Sequence, residues 1–397
     1  MTSRSTRLEL EPDHITAKAV LLALALTIWT GPALAHESSA WGGLYRSRDA
    51  GATWFLVSSS RNVVAATALA VSAIDANHLL LGSTDSGLLR SRNGGRDWTA
   101  EAPGILGAVY AVAFDADGRR VLVSTSSAIF RSDDGSGWSR LAAPSGAAPA
   151  RAIVRGGTPG RVYLAGQRRL ARSDDWGTSW SSTADDLPDG SVTALAVAPG
   201  PPETVFAVID GQIWVRAEGT PPLHGRTAGM PAIMVEALAL DPSDPARVWA
   251  AGAGRVFRSD DSGKHWQSLG RPLPTVNMAV HGIAATGTSI VVSTDRGLYR
   301  SPDGGERWQQ VTDNVPAHLE AGPLVSDTVD PATLYAGFAA TPYAELWRRA
   351  TESRASLWQI SPQKLGTATV LVMFLALDAV FGAQWLIRRY RTPRQQH

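Results

Sequence analysis

The stretch Leu298-Tyr299-Arg300-Ser301-Pro302-Asp303-Gly304-Gly305-Glu306-Arg307-Trp308 decides the fold. A short apolar run ends in Arg, and Ser-x-Asp-x-Gly-x-x-Trp follows. The same unit stands at Ser47/Asp49/Gly51/Trp54, Ser173/Asp175/Gly177/Trp180 and Ser259/Asp261/Gly263/Trp266. Asn93 replaces Asp in the copy ending at Trp98, and the loop of Asp134 and Trp138 is one residue shorter. The preceding arginines are Arg46, Arg90, Arg131, Arg172, Arg258 and Arg300, spaced by 44, 41, 41, 86 and 42 residues. The double interval predicts a degenerate copy near residue 215, where Ile213-Trp214-Val215-Arg216 stands without its box. Leu346-Trp347-Arg348 to Trp358 reads as an eighth, imperfect copy.

A period near 42 residues is the size of one four-stranded propeller blade. Runs such as Val192–Ala198 and Arg247–Ala251 are bounded by turn residues and read as strands. No amphipathic helix is expected between residues 36 and 365. Within each box, Gly supplies a positive φ, Ser and Asp satisfy nearby backbone N–H groups, and Trp buries its rings. These residues read as structural rather than catalytic. Seven pairs of first and second strands predict an all-β, seven-bladed propeller. Residues 43–57 are expected to complete the last blade beside residues 322–338, which closes the ring. The alternative is that residues 345–360 complete it.

These motifs resemble the Asp-box (BNR) repeats of β-propellers, over residues 41 to about 360. Similar propellers include photosystem II assembly factors, sortilin-type receptors, sialidases and xyloglucanases. The resemblance implies the fold; it leaves function open, because enzymes, receptors and scaffolds share it.

The ends of the chain point to a membrane. Residues 1–35 read as a signal peptide: Arg4, Arg7 and Lys18 precede an apolar run, and Ala33-Leu34-Ala35 follows Pro32. An uncleaved anchor is the alternative. Residues 366–387 form an apolar stretch of 22 residues, about 33 Å as a helix, which matches a bilayer core. The basic tail 388–397 places that side in the cytoplasm and residues 36–361 outside. The expected location is the inner (plasma) membrane, single-pass, with the propeller on the periplasmic side. Asp378 lies inside the span, where a carboxyl favours a polar partner such as another membrane subunit.

The chain has 37 Lys and Arg against 36 Asp and Glu, so there is no general drive toward nucleic acid. It has no cysteine, which excludes thiol catalysis and Cys-ligated zinc. The histidines lack ligand spacing, and no metal or cofactor is expected. His36, as a mature N-terminus, could chelate copper(II). No phosphate loop, nucleophile elbow or sialidase Arg-Ile-Pro motif is present. Asp75, Asp115, Asp117, Asp241, Asp244 and Asp330 read as turn residues.

Recognition is therefore expected on the face opposite the boxes. The second-to-third connections there carry Asp85, Arg168, Arg169, Asp210, Arg255, Asp295 and Arg296. Fourth-to-first connections add Arg61, Asp185, Asp186, Arg271 and His318. The functional expectation is a membrane-anchored, non-catalytic scaffold or assembly factor for a membrane protein or complex. The alternative is a glycan-directed hydrolase or lectin.

Overall fold

The computed structural model describes residues 42–352, apart from 62, 102–104, 106, 183–187, 189, 220–222, 225–227, 242 and 276. Its 28 strands form seven four-stranded antiparallel sheets. Blade 1 begins at Ala66–Val71, blade 2 at Val109–Phe114, blade 3 at Ala152–Arg155 and blade 4 at Val192–Ala198. Blade 5 begins at Ala237–Leu240, blade 6 at Val280–Thr286 and blade 7 at Glu320–Ser326. The strand without a box, Gln212–Ala217, is the third strand of blade 4.

Ring closure follows the first of the two expectations. Gly42–Ser47 pairs with Leu334–Ala339 of blade 7, from Gly42↔Ala339 to Ser47↔Leu334. Phe55–Leu56 then forms the outer strand. The N-terminal hairpin is thus the second half of the last blade.

The eighth copy is corrected. Tyr343–Glu352 is a helix, α1. Leu346-Trp347-Arg348 imitates a third strand, but Tyr343, Leu346 and Ala350 recur at helical spacing and are buried. Glu345 pairs with Arg348 and Arg349 on the outer side. This region therefore does contain an amphipathic helix. Residues 1–41 and 353–397, including His36 and Asp378, lie outside the described residues. Among the described residues, no helix is long and apolar enough to cross a membrane.

The boxes repeat one hydrogen-bond pattern. Ser47 Oγ donates to Asp49 Oδ1 (2.8 Å), Gly51 N–H donates to Ser47 Oγ (2.9 Å) and Thr53 N–H to Asp49 Oδ1 (2.8 Å). The same three bonds recur in the boxes of Asn93, Asp175, Asp261 and Asp303. Gly51 takes φ +81°, which a side chain would oppose.

The expectation that every box Trp buries its rings is corrected at Trp138, Trp180 and Trp308. Trp54, Trp98 and Trp266 are buried, whereas those three are only half-buried. At Trp180 the cause lies within its own box. Trp176, between Asp175 and Gly177, takes φ +56° and is fully buried in the cluster of Leu122, Ile129 and Leu164. It fills the joint with blade 2 first, and Trp180 is left at the edge of that cluster beside Leu141. Trp98 Nε1 donates to Gly95 O (2.9 Å), but Trp180 Nε1 has no acceptor among the described residues. At Trp138 the cause is the shortened loop. Asp134 Oδ1 there accepts Ser136 N–H (2.8 Å) and Gly137 N–H (3.3 Å), two residues and one residue earlier than the bond of a full box. In these boxes the turn carries more of the structural role than the ring does.

Each box faces the preceding blade. Trp98 Nε1 also donates to Val57 O of blade 7 (2.8 Å), and Trp266 packs with Phe206 and Val215 of blade 4. The arginines of the repeat reach the other way. Arg46 donates to Gly94 O (2.7 Å), Arg131 to Thr178 Oγ1 (2.6 Å) and Arg300 to Ala50 O (3.0 Å). Each tethers the next blade's box. The Arg300 bond joins the two ends of the chain.

Arg90 makes the same reach, to Gly135 O, and also pairs with Glu101. Its guanidinium donates to His78 Nε2 (2.5 Å), so the ring proton sits on Nδ1. Burial, and then the charge of Arg90, pushes the His78 pKa down to about 4 from 6.5. A neutral buried base loses its stabilising contribution as pH falls, because the unfolded chain takes the proton first. The melting temperature is therefore expected to drop from pH 6.5 toward pH 4, and His78→Gln to flatten that slope. The box carboxylates act lower: hydrogen bonds from Ser179 and Arg307 hold Asp175 and Asp303 at about 2. Their contribution is present above about pH 4 and lost toward pH 2. Calorimetry between pH 2 and 7 checks both; an unchanged slope between pH 6.5 and 4 in the His78 variant would assign that drop elsewhere.

Candidate functional site

Antiparallel alternation gives the propeller two unlike faces. The box loops and the first-to-second turns share one. The second-to-third turns and the starts of the inner strands share the other, called here the cap face. Gly42 and α1 also lie at the cap face, because the second strand of blade 7 ends there and the third begins there.

α1 crosses the mouth of the central channel on that face. Tyr343 OH donates to Ala66 O of blade 1 (2.7 Å), and its ring lies over Gly322 of blade 7. A Cβ at Gly322 would collide with that ring. The edge of the ring meets His281 of blade 6, at 5.5 Å between centroids. Trp347 stands 5.2 Å from Tyr110 of blade 2, and the Arg151 guanidinium of blade 3 lies 4.2 Å from its ring. One short helix thus touches the inner strands, or their approaches, of five consecutive blades. Sequence reading missed Tyr110, Arg151, His281, Tyr343 and Trp347. Pro342 followed by apolar residues at helical spacing was the available signal.

The acidic candidates on the cap face are tied to the backbone. Asp85 Oδ1 accepts Val64 N–H (3.3 Å), Asp210 Oδ1 accepts Ser191 N–H (2.9 Å) and Asp295 Oδ1 accepts Ala279 N–H (3.2 Å). Each pins a second-to-third turn to the chain entering its own blade. Two further acids also bind backbone but make other links: Glu236, at the entry to blade 5, accepts Val280 N–H of blade 6 (2.9 Å), and Glu320 of blade 7 accepts Tyr343 N–H at the start of α1 (2.7 Å). Burial raises the pKa of Glu236, and the bond from Val280 partly offsets this.

The basic candidates differ. Arg168, Arg255 and Arg296 are exposed and Arg169 is half-buried. Among the described residues, none of the four makes an ion pair. They occupy turns of blades 3, 5 and 6, so they line an arc and do not converge on one point. Arg61 and Arg271 lie elsewhere, against the next blade's box: Arg61 Nε donates to Trp98 O (3.3 Å), and Trp308 Nε1 donates to Arg271 O (2.9 Å). His318 is exposed, and Asp185 and Asp186 lie outside the described residues.

On the box face, the missing box of blade 4 leaves a cavity of about 130 Å³ beside blade 3. Tyr163, Arg172, Glu203, Arg216 and Glu218 line it. The gap is braced by charge rather than by a Trp. Buried Arg161 pairs with Glu203 (3.2 Å), Asp174 (2.6 Å) and Glu218 (3.1 Å), and Tyr163 OH donates to Glu203 (2.6 Å). Burial alone would lower the Arg161 pKa, but its carboxylate partners raise it. Burial, and then the bond to Glu203, raises that of Tyr163. Among the described residues, no three His, Asp or Glu side chains gather as a metal site.

The chain folds as a β-propeller of the kind seen in YCF48 and in GH74 enzymes.

A solved structure of YCF48 bound to D1 peptide aligns with TM-score 0.52 at 18% identity, over 70% of this chain and 94% of that one. YCF48 from Cyanidioschyzon merolae aligns at 0.53 and 15%, over 69% and 95%. The GH74 enzyme of Niastella koreensis aligns at 0.57 and 15%, over 72% of this chain and 53% of that one. At these identities the likeness is one of fold. A curated protein of Neosartorya fischeri, named "Probable oligoxyloglucan-reducing end-specific xyloglucanase", is 25% identical over 158 residues. That match spans 36% of this chain and 19% of the relative, so the chain aligns with about a fifth of its length. No family model matches the chain.

Proposed function

We propose that the protein is a non-catalytic binding propeller that holds an acidic segment of another protein on its cap face, as a scaffold or assembly factor for a membrane complex. One observation carries this reading. Asp85, Asp210 and Asp295 are bound to the backbone, whereas Arg168, Arg169, Arg255 and Arg296 make no ion pair among the described residues. Guanidinium groups held in turns suit carboxylates, and rim charges of this kind set association rate and partner choice. The YCF48 structure with a bound D1 peptide supports the idea that such a propeller can take a peptide.

In this reading residues 1–35 direct export, residues 366–387 span the inner membrane, and Asp378 meets a polar group of the partner. Both described ends leave from the cap face. The 13 residues from 353 to 365 can reach at most about 45 Å at 3.3–3.6 Å each. That tether turns the cap face toward the bilayer and its protein neighbours.

The test is co-purification of the full tagged chain in mild detergent. Replacing Arg168, Arg169 and Arg296 with Glu is expected to leave the melting temperature almost unchanged. Partner affinity should fall about tenfold or more, roughly 1.4 kcal/mol, and the difference should shrink at high salt. Full binding by this variant would overturn the proposal. The second reading, a glycan hydrolase, is favoured by the xyloglucanase match and the GH74 folds. Turnover of xyloglucan or a sialoside by the purified chain would establish it instead.

A further inference from the structure

α1 occupies the centre of the face that carries the arginines. Its hold is narrow: Tyr343, Leu346 and Ala350 are buried, and Trp347 lies on Tyr110 and Arg151. Its charges are balanced within the helix, through Glu345 with Arg348 and Arg349 and through Arg348 with Glu352. Leaving the mouth would therefore strand no charge of its own.

What its Trp347 ring touches is an exposed cation, Arg151. Arg151 N–H donates to Ala165 O (2.8 Å) in the second strand of blade 3, which ends just before the turn of Arg168 and Arg169. Gln167 N–H donates to Gly146 O (3.1 Å), which ties that turn to the segment leading into Arg151. Arg151 thus stands at the entry to the first strand of the blade whose turn carries Arg168 and Arg169, and its guanidinium lies against the Trp347 ring.

We propose that α1 is an autoinhibitory cap: it holds Arg151 and the aromatic-lined channel mouth occupied in cis, and an acidic partner segment displaces it. The proposal rests on the reading of the arginine face given above. A carboxylate arriving at Arg151 replaces a cation–π contact with a charge-assisted hydrogen bond, and the released mouth exposes Tyr110 and His281 to the incoming chain. The cap lies at the end of the described chain nearest residues 366–387, so tension from an anchored C-terminus would act on it directly.

The absence of cysteine makes the motion measurable. Ala350→Cys introduces a single thiol beneath the helix, in the full chain. Its reaction with a maleimide is expected to be slow alone and at least about fivefold faster with a saturating deca-glutamate peptide at low salt. Leu346→Cys serves as a second probe should the first variant fail to fold. Tyr343→Phe removes the bond to Ala66 O, and is expected to speed labelling without peptide and to tighten peptide binding severalfold. Peptide that binds without speeding labelling would overturn the cap and leave the arginine reading standing. Faster labelling in Tyr343→Phe with unchanged affinity would do the same. Absence of any peptide binding would remove the reading and the cap together. Acceleration by anionic phosphatidylserine vesicles, but not by the peptide, would assign the cluster to lipid and overturn both.

Discussion

Trp54→Ala is expected to destabilise the protein by about 3–5 kcal/mol, the usual cost of emptying a large aromatic site. Trp54 is fully buried between blades 7 and 6, with Tyr45, Val291, Leu298 and Phe338. It belongs to the N-terminal hairpin that closes the ring, so its loss weakens the joint between the chain's two ends. The comparison is Trp308→Ala. That ring is half-buried, and its Nε1 bond to Arg271 O lies near solvent. Removing it should cost about 1–2 kcal/mol, in proportion to the smaller area taken from water. Chemical denaturation of both variants checks the order. Equal losses would mean that burial at the closing joint does not set the stability of the ring.

The seven-bladed ring was legible because the box repeats in register; its closure was narrowed to two units, residues 43–57 or 345–360, and pairing decides for the first. One hydrogen-bonded turn recurs at Asp49, Asn93, Asp175, Asp261 and Asp303, so its spacing counts blades without any knowledge of contacts. The recurrence of the repeat's arginines was legible for the same reason. Their targets were not. That Arg46, Arg131 and Arg300 each bind the following blade's box depends on how blades pack, which a single repeat does not state. The depth of each box ring was hidden in the same way. Trp180 matches Trp54 in the motif, yet Trp176 already fills the joint that Trp180 would otherwise enter. α1 was misread as a strand because Leu346-Trp347-Arg348 copies the local pattern of Leu298-Tyr299-Arg300. The distinction lies in what the residues face, since Tyr343 needs a glycine at 322 to sit against. The cap-face candidates divided for a similar reason. Asp85, Asp210 and Asp295 stand in the same connections as the arginines and look alike in sequence. Only the neighbouring connections at Val64, Ser191 and Ala279 show what those carboxylates bind.

Arg161→Ala is expected to cost about 3–5 kcal/mol, because it removes the cation from a buried carboxylate. Glu203 is 3% exposed, and Arg161 is 8% exposed. At other joints a buried box Trp seals the contact with the preceding blade, as Trp54, Trp98 and Trp266 do. Blade 4 has no box, so the joint with blade 3 depends on the network of Arg161, Glu203, Tyr163 and Glu218. With Arg161 gone, Glu203 keeps the N–H of Gly157 and the OH of Tyr163 but loses its ion pair. Adding Glu203→Gln to Arg161→Ala removes the stranded charge while keeping an acceptor for Tyr163 OH. The double variant is expected to be more stable than Arg161→Ala alone at pH 7. Denaturation of the two single variants and the double variant at pH 7 measures the coupling. Additive losses would show that the joint is held by packing around the cavity and not by this ion pair.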